Sequence, residues 1–164
     1  MSPHSPHFTR ELRNALGCFA TGITVVTTRT ASGEPVGLTV NSFNSVSLAP
    51  PLIVWSLGVQ TKVRPIFEAC THFAVNVLAE DQVHLSNRFA SRDPDKFAGL
   101  SVTDGIEGVP LLDGCCARFE CRNGLRHEGG DHIVFISEVV RFGSSERPPL
   151  VFHAGAYRRL APRD

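Results

Sequence analysis

The sequence predicts a mainly β protein, an antiparallel barrel with a few short flanking helices. Six to eight short runs are rich in β-branched and aromatic residues, and glycine, proline and asparagine lie between them at turn positions. Helical spacing is confined to two short segments and one further turn, which argues against an alternating α/β sheet. At 164 residues, the chain is most simply one domain, residues 8–164, after a loose N-terminus of residues 1–7.

The first half of the chain predicts one helix at each end and four strands between them. Apolar residues at helical spacing begin at Phe8 and stop near Gly17, with Thr9 as a candidate cap. Residues 41–48 are predicted to form a loop, because Pro50 and Pro51 lack backbone donors and exclude a central strand there. The predicted strands are 23–28 and 36–40, which form a hairpin, then 52–57 and 73–78; a helical turn is expected at 63–70 and a second helix at 80–90.

The second half of the chain predicts a charged loop followed by a long hairpin. Residues 91–96 (SRDPDK) are charged and contain a proline, which suits a movable flap. Alternation of apolar and charged residues at 117–122 predicts a strand, and a tight turn at 128–131 leads into a long strand at 133–142. Only short strands are expected in the glycine-rich segment 97–113, and the last strand falls within 150–160.

Composition excludes several classes of protein. Basic and acidic residues balance at 16 each, so no basic stripe predicts nucleic-acid binding. No apolar run approaches the roughly 20 residues of a membrane span, and residues 2–7 have no signal-peptide pattern, so a cytoplasmic location is expected. Five cysteines without a CxxC pair do not indicate disulfides or zinc; a zinc site of Cys115, Cys116, Cys121 and His127 matches no common ligand spacing, and buried thiols are expected instead.

The main functional signal is the stretch from Pro35 to Lys62, PVGLTVNSFNSVSLAPPLIVWSLGVQTK. Its hydroxyl and amide side chains, with loop backbone N–H groups, suit an uncharged cradle for a flat polar ligand, and Lys62 is its only charge. The alternative is that these serines and asparagines only form turns. No GxGxxG, GxxxxGK[ST], GxSxG or HExxH motif is present, so a dinucleotide would not lie in a Rossmann crevice. The hydroxyl and amide residues are Thr39, Asn41, Ser42, Asn44, Ser45 and Ser47.

Outside this stretch, His132 is the strongest candidate. It follows a Gly-Gly-Asp turn and begins a strand, where an imidazole could orient a ligand amide or shuttle a proton. The alternative is a turn histidine hydrogen-bonded to Asp131. His153 and Tyr157 could line the same rim or simply cover the core.

Several segments together resemble the flavin reductase-like family, the short flavin:NAD(P)H reductases that supply reduced flavin to two-component monooxygenases. The resemblance runs from about Leu12 to Leu160. The segments that carry it are GITVVTT (22–28), GLTVNSFNSVSLAPPLIVWSL (37–57), FAVNVL (73–78), RFA with DKF (88–90 and 95–97), and GDHIVFISEV (130–139) with Tyr157. It implies an FMN-binding split β-barrel, usually a homodimer, that transfers a hydride from NADH or NADPH to FMN or FAD and passes reduced flavin to a monooxygenase.

The resemblance also implies a role for individual residues. The isoalloxazine and ribityl region would contact Thr39, Val40, Asn41 and Ser42, with Ser56 and Leu57 along the ring. The phosphate would meet Thr61 and Lys62, and the nicotinamide would lie beside His132. The pocket would be closed by Arg88, Phe89 and Tyr157. The alternatives are a flavin carrier or sensor without turnover, and a barrel for another flat ligand such as haem or a pyridoxal-type phosphate.

Overall fold

The computed structural model describes residues 5–161 and confirms a mainly β, antiparallel architecture with short flanking helices. The elements, in order, are α1 (Pro6–Gly17), β1 (Thr21–Gly22), β2 (Thr24–Arg29), β3 (Pro35–Val40), β4 (Asn44–Leu48), β5 (Pro51–Gly58), α2 (Arg64–Ala69), β6 (His72–Val77), α3 (Val83–Ala90), β7 (Val102–Asp104), a short 3₁₀ helix (Ile106–Gly108), β8 (Pro110–Leu112), β9 (Ala117–Gly129), β10 (His132–Ser144), β11 (Val151–His153) and β12 (Ala156–Arg158). None of the helices in this range has the length and apolar character needed to cross a membrane.

A seven-stranded sheet in the order β3-β2-β6-β9-β10-β5-β4 forms the body of the protein, and β1-β11-β12 and β7-β8 form two small sheets. Every pairing is antiparallel. One side chain also links β5 to the segment that follows β3. The Ser42 hydroxyl accepts a hydrogen bond from the Ser56 N–H (2.9 Å) and donates one to the Ser56 carbonyl (3.1 Å).

Two buried clusters hold these elements together. The first surrounds Trp55, whose ring stacks on Phe135 with centroids 4.6 Å apart and contacts Phe67 and Phe73. Complete burial of such side chains contributes about 1.5–3 kcal/mol each. The second cluster lies under α3 and the C-terminal strands and includes Phe89, which is 1% exposed. It fixes α3 against β3, which forms one wall of the site described below.

The segment predicted to be a loop contains a strand. Residues 44–48 form β4, which pairs with β5 as an edge strand. Pro50 lies in the turn between β4 and β5, but Pro51 begins β5, which is an interior strand between β10 and β4. The prediction that both prolines exclude a central strand is therefore wrong for Pro51. Its missing donor is tolerated there because Pro51 is the first residue of the strand and pairs with Leu48 of β4 only. The hydroxyl side chains of this segment therefore lie on an exposed edge strand.

Both predicted helix starts are also corrected. Helix α1 begins at Pro6 with Ser5 as its cap, since the Ser5 hydroxyl accepts from the Phe8 N–H; proline suits the first helical position. Residues 5–7 of the predicted loose terminus thus cap or begin α1, and residues 1–4 lie outside the described range. Helix α3 begins at Val83 instead of residue 80, because the Gln82 side chain turns back to accept from the Ala79 N–H.

Candidate active site

A cavity of about 580 Å³ opens between the end of β3, the strand β5 and the start of β10. None of its lining residues is acidic, lysine or arginine, and one of them is a histidine. The lining residues are Leu38, Thr39, Val40, Asn41, Ser42, Ser56, Leu57, Gly58, Thr61, Gly129, His132 and Val134.

His132 lies between Gly58 and Gly129 of the neighbouring strands, and these two glycines form a floor without side chains. In the sheet it pairs with Gly58 of β5 on one side and with Gly129 of β9 on the other. A Cβ at residue 58 would lie 3.3 Å from Thr61 Oγ1 and 3.9 Å from His132 Nε2, and a Cβ at residue 129 would lie 3.2 Å from Val134 Cγ2. A side chain at either position would press on Thr61 or Val134, so glycine at both positions keeps the cavity open beside the imidazole.

Asp131 holds the other nitrogen of this imidazole. Its Oδ1 lies 2.7 Å from His132 Nδ1, and the two side chains are 91% and 48% exposed. This hydrogen bond is the main cause that lowers the pKa of the Asp131 carboxyl. His132 is thus both a turn histidine bonded to Asp131 and a residue of the cavity wall, so the two readings of the sequence do not exclude each other.

Two hydroxyls of the predicted cradle are already engaged by the backbone. Thr39 Oγ1 donates to the Ser86 carbonyl of α3 at 2.7 Å, and Ser42 is bonded in both directions to Ser56. They hold the cavity wall in place, whereas Asn41 is exposed at the rim and Thr61 Oγ1 lies beside the glycine floor. Ligand contact by Thr39 and Ser42 stays a prediction, and the structure gives each a positioning role.

The structure brings eight of the predicted residues together at one cavity and leaves four outside its lining. Lys62 is exposed and follows Thr61 in the chain, and Arg88 donates to the Ala98 carbonyl. Phe89 is buried against Phe97 with ring centroids 5.0 Å apart. The eight are Thr39, Val40, Asn41, Ser42, Ser56, Leu57, Thr61 and His132.

Tyr157 packs against the second core cluster and contacts α3. Its hydroxyl is 2.9 Å from Ser86 Oγ and donates to Asn87 Oδ1 at 2.9 Å. Because the Ser86 carbonyl accepts from Thr39, a chain of polar contacts runs from the C-terminal strand β12 to the cavity wall.

Four lining residues were not identified from sequence: Leu38, Gly58, Gly129 and Val134. Gly58 ends an apolar strand and Gly129 belongs to a Gly-Gly turn, so the sequence indicates a strand end or a turn at both positions. The tight turn sets the pairing of Gly129 with His132, but the place of Gly58 beside His132 depends on the register of β5 against β10, which local sequence does not determine.

A second cavity, of about 510 Å³, lies between α2 and the 3₁₀ helix. Its arginine, Arg29, is already bound by the Gly33 and Gly108 carbonyls and by Asp104. Its thiol, Cys70, has a pKa raised by burial, which makes it a poor nucleophile. Neither Arg29 nor Cys70 is therefore prepared for catalysis.

No metal-binding cluster is found within residues 5–161, where no three His, Cys, Asp or Glu side chains converge. Cys115, Cys116 and Cys121 are buried free thiols. Burial raises the pKa of both Cys115 and Cys121 to about 12.

Comparison with known proteins relates this architecture to one family. Residues 16–161 match the model of the flavin reductase like domain. FMN reductase (NADH) SmoA from Agrobacterium fabrum (strain C58) is 47% identical over 152 residues, which cover 93% of this chain and 86% of that protein. The reductase subunit HsaB of a flavin-dependent monooxygenase from Rhodococcus jostii (strain RHA1) is 40% identical, with coverages of 93% and 78%.

A solved structure supports the same family relationship. The NADH:FAD oxidoreductase SgcE6 from Streptomyces globisporus C-1027, determined with NAD and FAD fragments, superposes with a TM-score of 0.90 at 38% identity and 96% coverage of both chains. The resemblance inferred from sequence is confirmed, since one family model spans nearly the whole chain and the two relatives named above are matched over most of their own length: the protein belongs to the flavin reductase-like family.

Proposed function

We propose that this protein is a flavin reductase that transfers a hydride from NADH or NADPH to FMN or FAD on a split-barrel scaffold, and supplies reduced flavin to a separate monooxygenase component. The observation that carries the proposal is the cavity without acidic, lysine or arginine residues in which two glycines flank His132 and form the floor. The relatives that are FMN reductase (NADH) and NADH:FAD oxidoreductase support the choice of both cofactors.

The lining fits a flavin. An isoalloxazine ring is flat and carries hydrogen-bonding edges without a full charge, which matches neutral walls and a floor free of side chains. The volume of about 580 Å³ lies in the usual range of ligand pockets. Thr61 and the adjacent Lys62 would meet the phosphate, and residues 39–42 with Ser56 and Leu57 would contact the ring and ribityl chain.

When bound, the nicotinamide and the flavin supply the redox chemistry themselves. The chain therefore has to position two rings and exclude water, and it needs no strong general base. The walls at residues 39–42 and 56–57 hold one ring. His132 orients the other through Nε2, the nitrogen nearer the glycine floor. The uncharged lining suits reversible binding, which a diffusible flavin requires.

The chain is also proposed to form a homodimer of single-domain protomers, each comprising residues 8–164, in the cytoplasm. Helix α1 is amphipathic, yet none of its described side chains is buried. Leu16 and Phe19 at its end are 66% and 71% exposed, and Leu48 on the edge strand β4 is 93% exposed. Such apolar exposure is typical of a surface that a partner covers; light scattering of the purified protein gives the mass that tests it.

The activity is tested by mixing purified protein with NADH or NADPH and with FMN or FAD, and following the absorbance of the reduced nicotinamide. Turnover is expected with at least one pair, whereas flavin binding without oxidation of either nicotinamide would identify a carrier or sensor and refute the proposal.

The role of His132 is tested by H132A, which should raise the KM for the nicotinamide or slow hydride transfer, about tenfold to a hundredfold in kcat/KM, because loss of orientation is costly. Flavin affinity should change little. H84A is the matched control, since His84 is exposed on α3 and does not line the cavity. Unchanged kinetics in H132A would remove this residue from the site.

A further inference from the structure

The contact between Asp131 and His132 determines whether the imidazole presents a hydrogen-bond donor or an acceptor to the cavity. We propose that Asp131 is a positioning residue that holds His132 with an Nε2 lone pair toward the cavity, so that the site selects a pyridine carboxamide over the corresponding carboxylate. The inference rests on the proposed function for the identity of the ligand, and on geometry for the state of the imidazole.

The direction of the ring follows from two distances. Asp131 Oδ1 is 2.7 Å from Nδ1, and Nε2 is 3.9 Å from the position that a Cβ of Gly58 would take. Gly58 is a lining residue, and the two nitrogens point away from each other across the ring. Nδ1 is therefore occupied at the turn, and Nε2 faces the glycine floor.

The position of the proton follows from the partner of Nδ1. An ionised carboxylate can only accept hydrogen bonds, and the contact with His132 lowers the pKa of the Asp131 carboxyl, which keeps it ionised. Nδ1 must then carry the hydrogen. A neutral imidazole has a single N–H, so Nε2 is left as an acceptor.

The turn is attached to the site by its backbone. The Val59 N–H donates to the Asp131 carbonyl at 2.9 Å, and the Thr61 N–H donates to the Gly58 carbonyl at 3.0 Å. The backbone of Asp131 is thus held in place relative to the floor. A side-chain hydrogen bond this exposed adds little to stability, so its loss should change the imidazole without unfolding the protein.

An acceptor at Nε2 discriminates between ligands. The amide N–H of a nicotinamide can donate to it, whereas a nicotinic acid carboxylate offers only acceptors and would place its negative charge against the Nε2 lone pair. No lysine or arginine lines the cavity to neutralise a carboxylate. Thr61 Oγ1, the nearest polar atom to the same point of the floor, is uncharged.

The first test reads the tautomer without any ligand. Two-bond ¹H–¹⁵N spectra of the full chain are recorded near pH 8.5, roughly two units above the reference pKa of imidazole. We expect the Nδ1–H form in the wild type and in D131N, whose amide oxygen can still accept, and a shift to the Nε2–H form in D131A. D81N is the matched control, because Asp81 is an exposed carboxylate paired with Arg147 and does not line the cavity. A wild-type or D81N spectrum showing Nε2–H, or a D131A spectrum unchanged from the wild type, overturns the assignment.

The second test measures selectivity as the ratio of kcat/KM for NADH to that for its nicotinic acid analogue. The wild type and D131N should prefer the carboxamide by about tenfold or more, and D131A should lose about tenfold of this ratio through KM rather than kcat. An unchanged ratio in D131A refutes the proposal. Equal losses in D131N and D131A assign the effect to the charge of Asp131 and also overturn it.

Failure of the proposed function would be distinguishable. A wild type that oxidises neither NADH nor NADPH in the presence of flavin refutes the reductase, while the ligand-free spectra still decide the tautomer. In that case the affinities for NAD and its nicotinic acid analogue, measured by calorimetry, replace the kinetic ratio with the same expected order among the variants.

Discussion

The Ser42 hydroxyl joins the segment after β3 to β5, and S42A is the change that tests whether this link holds the cavity open. Its oxygen accepts from the Ser56 N–H at 2.9 Å and donates to the Ser56 carbonyl at 3.1 Å. Ser42 and Ser56 both line the cavity. The variant removes both hydrogen bonds and leaves the backbone of β5 without this partner.

The expected cost can be derived from the geometry. A neutral hydrogen bond contributes about 0.5–1.5 kcal/mol net, so two give an upper value of about 3 kcal/mol. Ser42 is exposed, and water can replace part of what is lost. We therefore expect S42A to lower the free energy of unfolding by about 1 kcal/mol, which lowers Tm by about 2–4 °C in a domain of this size.

Thermal unfolding of the flavin-free protein measures this loss. S42T keeps a hydroxyl and should restore much of the stability, while S45A removes an exposed hydroxyl from the neighbouring strand β4 and should be silent. Flavin affinity is then measured for the same variants. If S42A melts like the wild type but binds flavin more weakly, the hydroxyl serves the ligand directly and the reasoning from the Ser56 contacts is wrong.

Three further predictions concern the phosphate, the packing of β3 and the buried thiols. K62A should weaken binding of FMN about threefold and that of riboflavin hardly at all, because Lys62 is an exposed cation; fluorescence titrations showing equal losses would contradict the phosphate assignment. G37A should lower the free energy of unfolding by about 1–3 kcal/mol, since its Cβ would lie 2.8 Å from Phe89 Cε1, whereas in G143A the Cβ would meet nothing within 4 Å; denaturant midpoints give the comparison. Burial raises the pKa of Cys121 from 9.0 to about 12, so between these values the folded state retains a proton that the unfolded state loses. The free energy of unfolding should then fall with rising pH by up to about 1.4 kcal/mol per unit from this thiol, and C121A should show a shallower fall in alkaline denaturation curves.

Local patterns were sufficient for most strands and for the part of the site that is continuous in sequence. The β-branched run of β2 and the apolar run of β5 have few alternatives to a strand. The stretch from Pro35 to Lys62 supplied Thr39 to Ser42, Ser56 and Leu57, all of which line the cavity. The local patterns failed at β4, because an edge strand of serine and asparagine has the composition of a turn.

By itself, the sequence determined the mainly β class, the family and the stretch that lines the cavity, because these depend on residue type and short spacing. Tertiary structure decided what surrounds His132. The pairing of β10 with β5 and β9 places Gly58 and Gly129 beside it, and the turn directs Nδ1 to Asp131. The tight turn between β9 and β10 sets the pairing of Gly129 with His132 locally, whereas the register of β5 against β10, more than seventy residues apart, is set by the packing of the whole sheet. A shift of one residue between β5 and β10 would turn Gly58 to the other face of the sheet.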